Sequence, residues 1–268
     1  MNSKMTKSGF YEELQDSGRF AELERKLLGE SNLPGPRANL GAASAFADAF
    51  ESGRVTRESW ELIVAWTRKE EDEAPTGNPR EFLPFCALQA MGAYYPYAGP
   101  AQKQVILECC QAGMNDSRWR MREAAAMALQ RIGEKEFAVI KSLFDSLGKQ
   151  ANALEKRAMA AALAHPPLLK NPAHVLYALH LSEQILDEIA AGQAKYTAED
   201  YRVLSKGLEY AVSLFVERAP EEGFRMLAKF AVAADKRILK IVKSNLGKAR
   251  LAKKFSEDVE RIQLLMNA

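Results

Sequence analysis

The 268-residue chain is short of the residues that cross-linking and most catalysis require, with three cysteines and three histidines. Cys86, Cys109 and Cys110 are an odd set, and two of them are adjacent, so they read as reduced, buried thiols and not as a disulfide framework. His165, His174 and His180 stand nine and six residues apart. Neither spacing brings two imidazoles to one helical face, and no metal is expected. Sixteen glycines and eleven prolines are too few for a disordered or collagen-like chain. No run approaches the roughly 18 apolar residues of a spanning helix, and no apolar stretch follows the first lysines. The expectation is a cytoplasmic protein without membrane contact. The Gly-x-Ser-x-Gly elbow, the phosphate-cradling Gly-rich loop and the His-Glu-x-x-His pair are all missing from the sequence. No catalytic residue and no cofactor is therefore assigned.

What the chain does have is apolar residues at helical spacing between short punctuated stops, with few alternating β-branched runs, so the fold class is all-α. Over 197–218, Tyr201, Leu204, Leu208, Val212 and Phe215 fall on one stripe behind a Thr197/Asp200 capping pattern. Asn171 and Pro172 supply an N-cap and first turn to a second long helix, which Gly192 can end. Pro100 starts another that Gly113 can end. Further helices are predicted over 37–51, 56–69, 79–91, 117–132, 135–147, 153–163, 221–232, 236–246 and 256–266.

The sequence also repeats. Ala87-Leu88-Gln89-Ala90-Met91-Gly92 returns 41 residues later as Ala128-Leu129-Gln130-Arg131-Ile132-Gly133. Residues 155–163 echo 121–129 at a further 34. The stretch from Asp116 to Gly133, with Met121, Arg122, Ala124, Ala128 and Leu129, resembles the second helix of a HEAT repeat. The resemblance is strongest over 79–163 and implies one domain over 1–268, a HEAT/armadillo-like right-handed superhelix or solenoid of antiparallel helix pairs. Alanines on the inward face fit that architecture because they let helices approach closely. A looser, fold-level resemblance to the AlkD-like DNA glycosylases implies a basic concave face on duplex DNA and excision of alkylated bases; that family's catalytic Asp and Trp find no counterpart here.

Charge is the most informative feature left. The net charge is +2, but residues 201–268 hold 14 basic and 8 acidic side chains, and 235–254 hold eight basic residues against Asp235 alone. On a helix over 236–246, Lys236, Lys240 and Lys243 form one stripe, with Arg237 beside it, opposite an apolar arc. Such a row is either a solvated outer face or a surface for phosphate or an acidic partner. Arg118, Trp119 and Arg120 divide the same way. Both arginines are expected to be exposed beside the indole, where they could stack on a base or line a groove, while Arg122 is expected to pair with Asp116. The run Glu70–Glu73 opposes the dipole at a helix C-terminus, and fraying is expected there. Two functions follow from these readings: a non-catalytic scaffold for a protein or peptide partner, or an AlkD-like DNA-binding protein.

Overall fold

The computed structural model describes residues 7–51, 53–192 and 196–267, and among them are fourteen α-helices and no strand. Two compact units divide the chain, Met1–Leu143 and Phe144–Ala268. The first holds α1 (Lys7–Leu14), α2 (Phe20–Glu30), α3 (Leu40–Asp48), α4 (Arg57–Thr67), α5 (Phe82–Tyr94), α6 (Pro100–Met114) and most of α7 (Trp119–Leu147). The second holds α8 (Ala153–Leu163), α9 (Pro172–Ala190), α10 (Ala198–Arg218), α11 (Pro220–Ala231), α12 (Lys236–Leu246), α13 (Ala249–Ala252) and α14 (Ser256–Asn267).

Local chemistry sets the helix ends. Thr197 Oγ1 accepts from the Asp200 N–H at 3.1 Å, and Asn171 Oδ1 accepts from the Ala173 N–H at 2.9 Å. Gly192 follows α9 at φ +64°, a conformation that costs glycine nothing. The two helices predicted over 117–132 and 135–147 are both present within the α7 span, divided where the backbone leaves the helical region at Glu136 (φ −138°, ψ 70°). Gly113 does not end α6, which runs on to Met114. Its missing side chain instead makes room for Leu88 and Ala125, because a Cβ there would lie 2.8 Å from Leu88 Cδ2.

In the first unit α5 is the centre. It carries no charged residue and all thirteen of its residues are buried, as a helix that is apolar all round must be. It packs on α2, α3, α4 and α6, and Gly92 brings its backbone directly onto Ala128 of α7. The two copies of the six-residue repeat therefore pack on each other. Above α5, Arg131 of α7 reaches Asp48 at 2.9 Å, Ser44 at 3.0 Å and Glu51 at 3.3 Å, which ties α7 to α3 and its C-terminal end. This helix has no face left to offer a partner.

The second unit forms two layers. Helix α10 packs on α8 and α12 in one, and on α9 and α11 of the other, where α11 also meets α14. The pairs Tyr201 with Arg237, Glu209 with Lys240 and Glu217 with Lys254 ascend together, so α10 runs parallel to α12 and α13. The register is locked by Asn245, which is fully buried. Its amide donates to Leu208 O at 3.0 Å and Ile241 O at 2.8 Å and accepts from the Ser213 N–H at 2.7 Å. A buried amide with both ends bonded to backbone fixes one alignment, because sliding would strand polar groups out of water.

Candidate functional site

Arg118 and Arg120 are not exposed; they are 3% and 5% accessible, which corrects the sequence reading. Arg118 is spent inside the first unit. Its guanidinium chelates the Asp116 carboxylate at 2.8 and 2.6 Å and donates to Lys69 O at 2.9 Å, Glu70 O at 3.4 Å and Ala74 O at 3.1 Å. It thus caps the chain leaving α4. The acidic run predicted to fray is held by this clip, while Glu71 accepts from Ser117 at 2.5 Å and Glu73 pairs with Lys69 at 3.3 Å. Arg122 does meet Asp116, donating to its backbone carbonyl at 2.6 Å and to that of Ser117 at 2.8 Å.

Arg120 pairs with the fully buried Glu81 at 3.0 Å and donates to Gly35 O at 2.6 Å. Only Trp119 is open, at 44%, with the Arg120 guanidinium 4.3 Å from its ring centre. Neither arginine has a donor directed at solvent for a phosphate or a base.

A cleft of about 580 Å3 opens beside this clip, lined by Thr67, Arg68, Cys109, Gly113, Ser117 and Met121. Its thiol is not poised for attack, since burial pushes Cys109 up from the ordinary thiol value and Arg68 only partly offsets this. Cys86 and Cys110 are buried and shifted up by the same cause. No group of acids, cysteines and histidines that could hold a metal occurs among the described residues, and no helix of them is long and apolar enough to cross a membrane.

The remaining predicted residues gather on the second unit. Lys236, Arg237, Lys240 and Lys243 are all exposed on α12, as the periodicity requires. Their partners differ. Asp235 caps α12 and holds Arg237 at 2.6 Å, and Arg237 in turn lies over the Tyr201 ring at 5.0 Å. Those bonds to Arg237 hold the Asp235 carboxyl below its ordinary value. Lys240 pairs with Glu209 at 3.1 Å, and Lys254 with Glu217. The side chains of Lys236, Lys243, Lys248 and Lys253 make no hydrogen bond or ion pair among the described residues.

The same face carries residues that the charge run in the sequence did not include. On α10, Arg202, Lys206 and Tyr210 stand at four-residue spacing. They lie between the side where Gly207 meets Arg157 of α8 and the side where Tyr201 and Glu209 meet α12. Lys206 has no partner among the described residues. Tyr210 is 56% exposed, with the Arg250 guanidinium 5.2 Å over its ring. The signal that could have found this stripe is the i, i+4, i+8 row on the polar side of a helix whose apolar stripe is already plain. The carboxylates Asp235, Glu209 and Glu217 are each engaged by a cation, so the surplus positive charge lies on lysines that face water.

A scan of protein-family models gives no match, and a search of curated protein sequences finds no relative.

Proposed function

We propose that this protein is a non-catalytic polynucleotide-binding module, a right-handed stack of HEAT-like helix pairs in which the α10–α12 face of the second unit holds the phosphate backbone. The observation that carries the proposal is the split among the charges of this face. Asp235 holds Arg237, Glu209 holds Lys240 and Glu217 holds Lys254, and Arg237 and Arg250 lie over tyrosine rings, while the side chains of Lys206, Lys236 and Lys243 pair with no described residue. Free ammonium groups bind phosphates by releasing counterions, without needing the fixed fork of a guanidinium.

A protein partner suits this face less well. The cores of protein interfaces are depleted in lysine and rich in aromatic residues, methionine and arginine, whereas nucleic-acid interfaces are strongly basic and polar. Tyr210 is the one strongly exposed large apolar side chain among those named on the face.

The test compares Lys236→Glu with Lys243→Glu against Lys135→Glu with Lys170→Glu, four exposed lysines with no partner among the described residues. Both double variants change the net charge equally. In anisotropy titrations of labelled oligonucleotides at two salt concentrations, the first pair is expected to weaken binding about tenfold and flatten the salt slope by about two. The second pair is expected to leave both nearly unchanged. Equal losses from the two pairs, or no oligonucleotide binding at low salt, would overturn the proposal, and tighter binding of an acidic polypeptide would make this a protein-docking face.

A further inference from the structure

Resting on the polynucleotide reading of this face, we infer that the bound strand is single-stranded and stacks one base on Tyr210. The phenol ring is set up as a platform. Arg250 lies over it at 5.2 Å, and the Arg250 Nη1 donates to Ser213 Oγ at 3.5 Å. Ser213 Oγ in turn donates to the Tyr210 carbonyl at 3.1 Å. The ring is therefore backed by a cation that is itself anchored to the same helix, yet the side chain keeps 56% of its surface in water. Tyr201, a second ring of α10 with an arginine over it, is by contrast only partly exposed and sits against Arg237 and the capping Asp235.

What surrounds Tyr210 fits a strand and not an isolated base. Lys206 is one helical turn away on α10, about 6 Å along the axis. Lys240 and Lys243 stand on the neighbouring parallel helix, at the usual separation of about 8–10 Å between packed helices. A base on the ring would have phosphates within reach of ammonium groups on both helices. In a duplex every base face is already covered by its neighbours, so an exposed aromatic ring among surface ammonium groups gains nothing from duplex DNA. In a single strand each base has a free face, and stacking on an aromatic ring is tolerant of sequence. The cation over Tyr210 restricts the ring without occupying all of it.

The experiment titrates the full chain, and its Tyr210→Ala and Tyr210→Phe variants, with a labelled oligothymidylate and with a labelled duplex of equal length. Tyr210→Ala is expected to weaken single-strand binding about tenfold and duplex binding less than twofold, and Tyr210→Phe is expected to bind like the parent because the ring and not the hydroxyl is used. Circular dichroism of the variants matching the parent shows that the fold is kept, as expected for an exposed side chain. Oligothymidylate binding by Tyr210→Ala equal to the parent's would sink the stacking inference while leaving the polynucleotide reading intact. An equal loss for the duplex would sink it too. No binding of either probe by the parent removes the polynucleotide reading itself, and the inference with it.

Discussion

Gly92→Ala is expected to destabilise the first unit by about 3 kcal/mol, although alanine is the better helix former by about 1 kcal/mol. A Cβ on Gly92 would lie 2.5 Å from Ala128 O, 2.6 Å from Ala128 Cα and 2.9 Å from its carbonyl carbon. All three are backbone atoms, so no rotamer change relieves the overlap; α5 and α7 must move apart. Separation would open the contacts of Leu88, Met91, Ala124 and Leu129, all fully buried. The reference is Gly29→Ala on α2, where a Cβ would meet nothing within 4 Å and the change is expected to be neutral or slightly stabilising. Urea unfolding followed by tryptophan fluorescence reads this directly, since Trp60, Trp66 and Trp119 all lie in the first unit. A stability unchanged within about 0.5 kcal/mol would mean that the two repeat copies are not in backbone contact.

That contact also shows which parts of the fold were legible. Helix ends set by local chemistry, such as Thr197, Asn171 with Pro172, and Lys236–Leu246, could be read because cap and stripe lie within one turn of each other. The small residues of the repeat could be read because close approach needs them. The burial of the clip and the pairing of Arg120 could not: Asp116 is two residues from Arg118, but the backbone carbonyls that Arg118 caps and the partners of Arg120 lie 39 to 85 residues away and nothing local marks them. An arginine at a helix start looks the same in sequence whether it meets water or a buried carboxylate. No prediction was made for helices α1 and α2; α2 lacks a cap of the Thr197 kind, since it buries only Leu23 and Leu27 and no side chain caps its first turn. The site was half legible for the same reason. The α12 stripe follows from periodicity, whereas the split between paired and free lysines depends on Glu209 and Glu217 of a neighbouring helix.

Breaking the Glu81–Arg120 pair from one side is expected to cost more than removing it from both. Glu81 is fully buried and Arg120 nearly so, and they meet at 3.0 Å with the Gly77 N–H donating to the same carboxylate oxygen at 2.7 Å. The pair is not fully satisfied, because Glu81 Oε1 and Arg120 Nε find no partner among the described residues. Two ions taken out of water with unmet hydrogen-bonding capacity recover little net stability, yet either ion left alone is far worse. Arg120→Met or Glu81→Leu alone is therefore expected to destabilise by about 4 kcal/mol, a large part of the stability of a typical domain. The double variant is expected to fall within about 1 kcal/mol of the parent, since methionine keeps the reach under Trp119 and leucine fills the space at the start of α5. The Trp119 emission follows the stacked guanidinium, so its wavelength is expected to shift in both variants that lose Arg120, irrespective of stability. Additive losses in the double variant would show that each side chain acts through its other bonds, Arg120 through Gly35 and Glu81 through Gly77, and that the ion pair itself decides nothing.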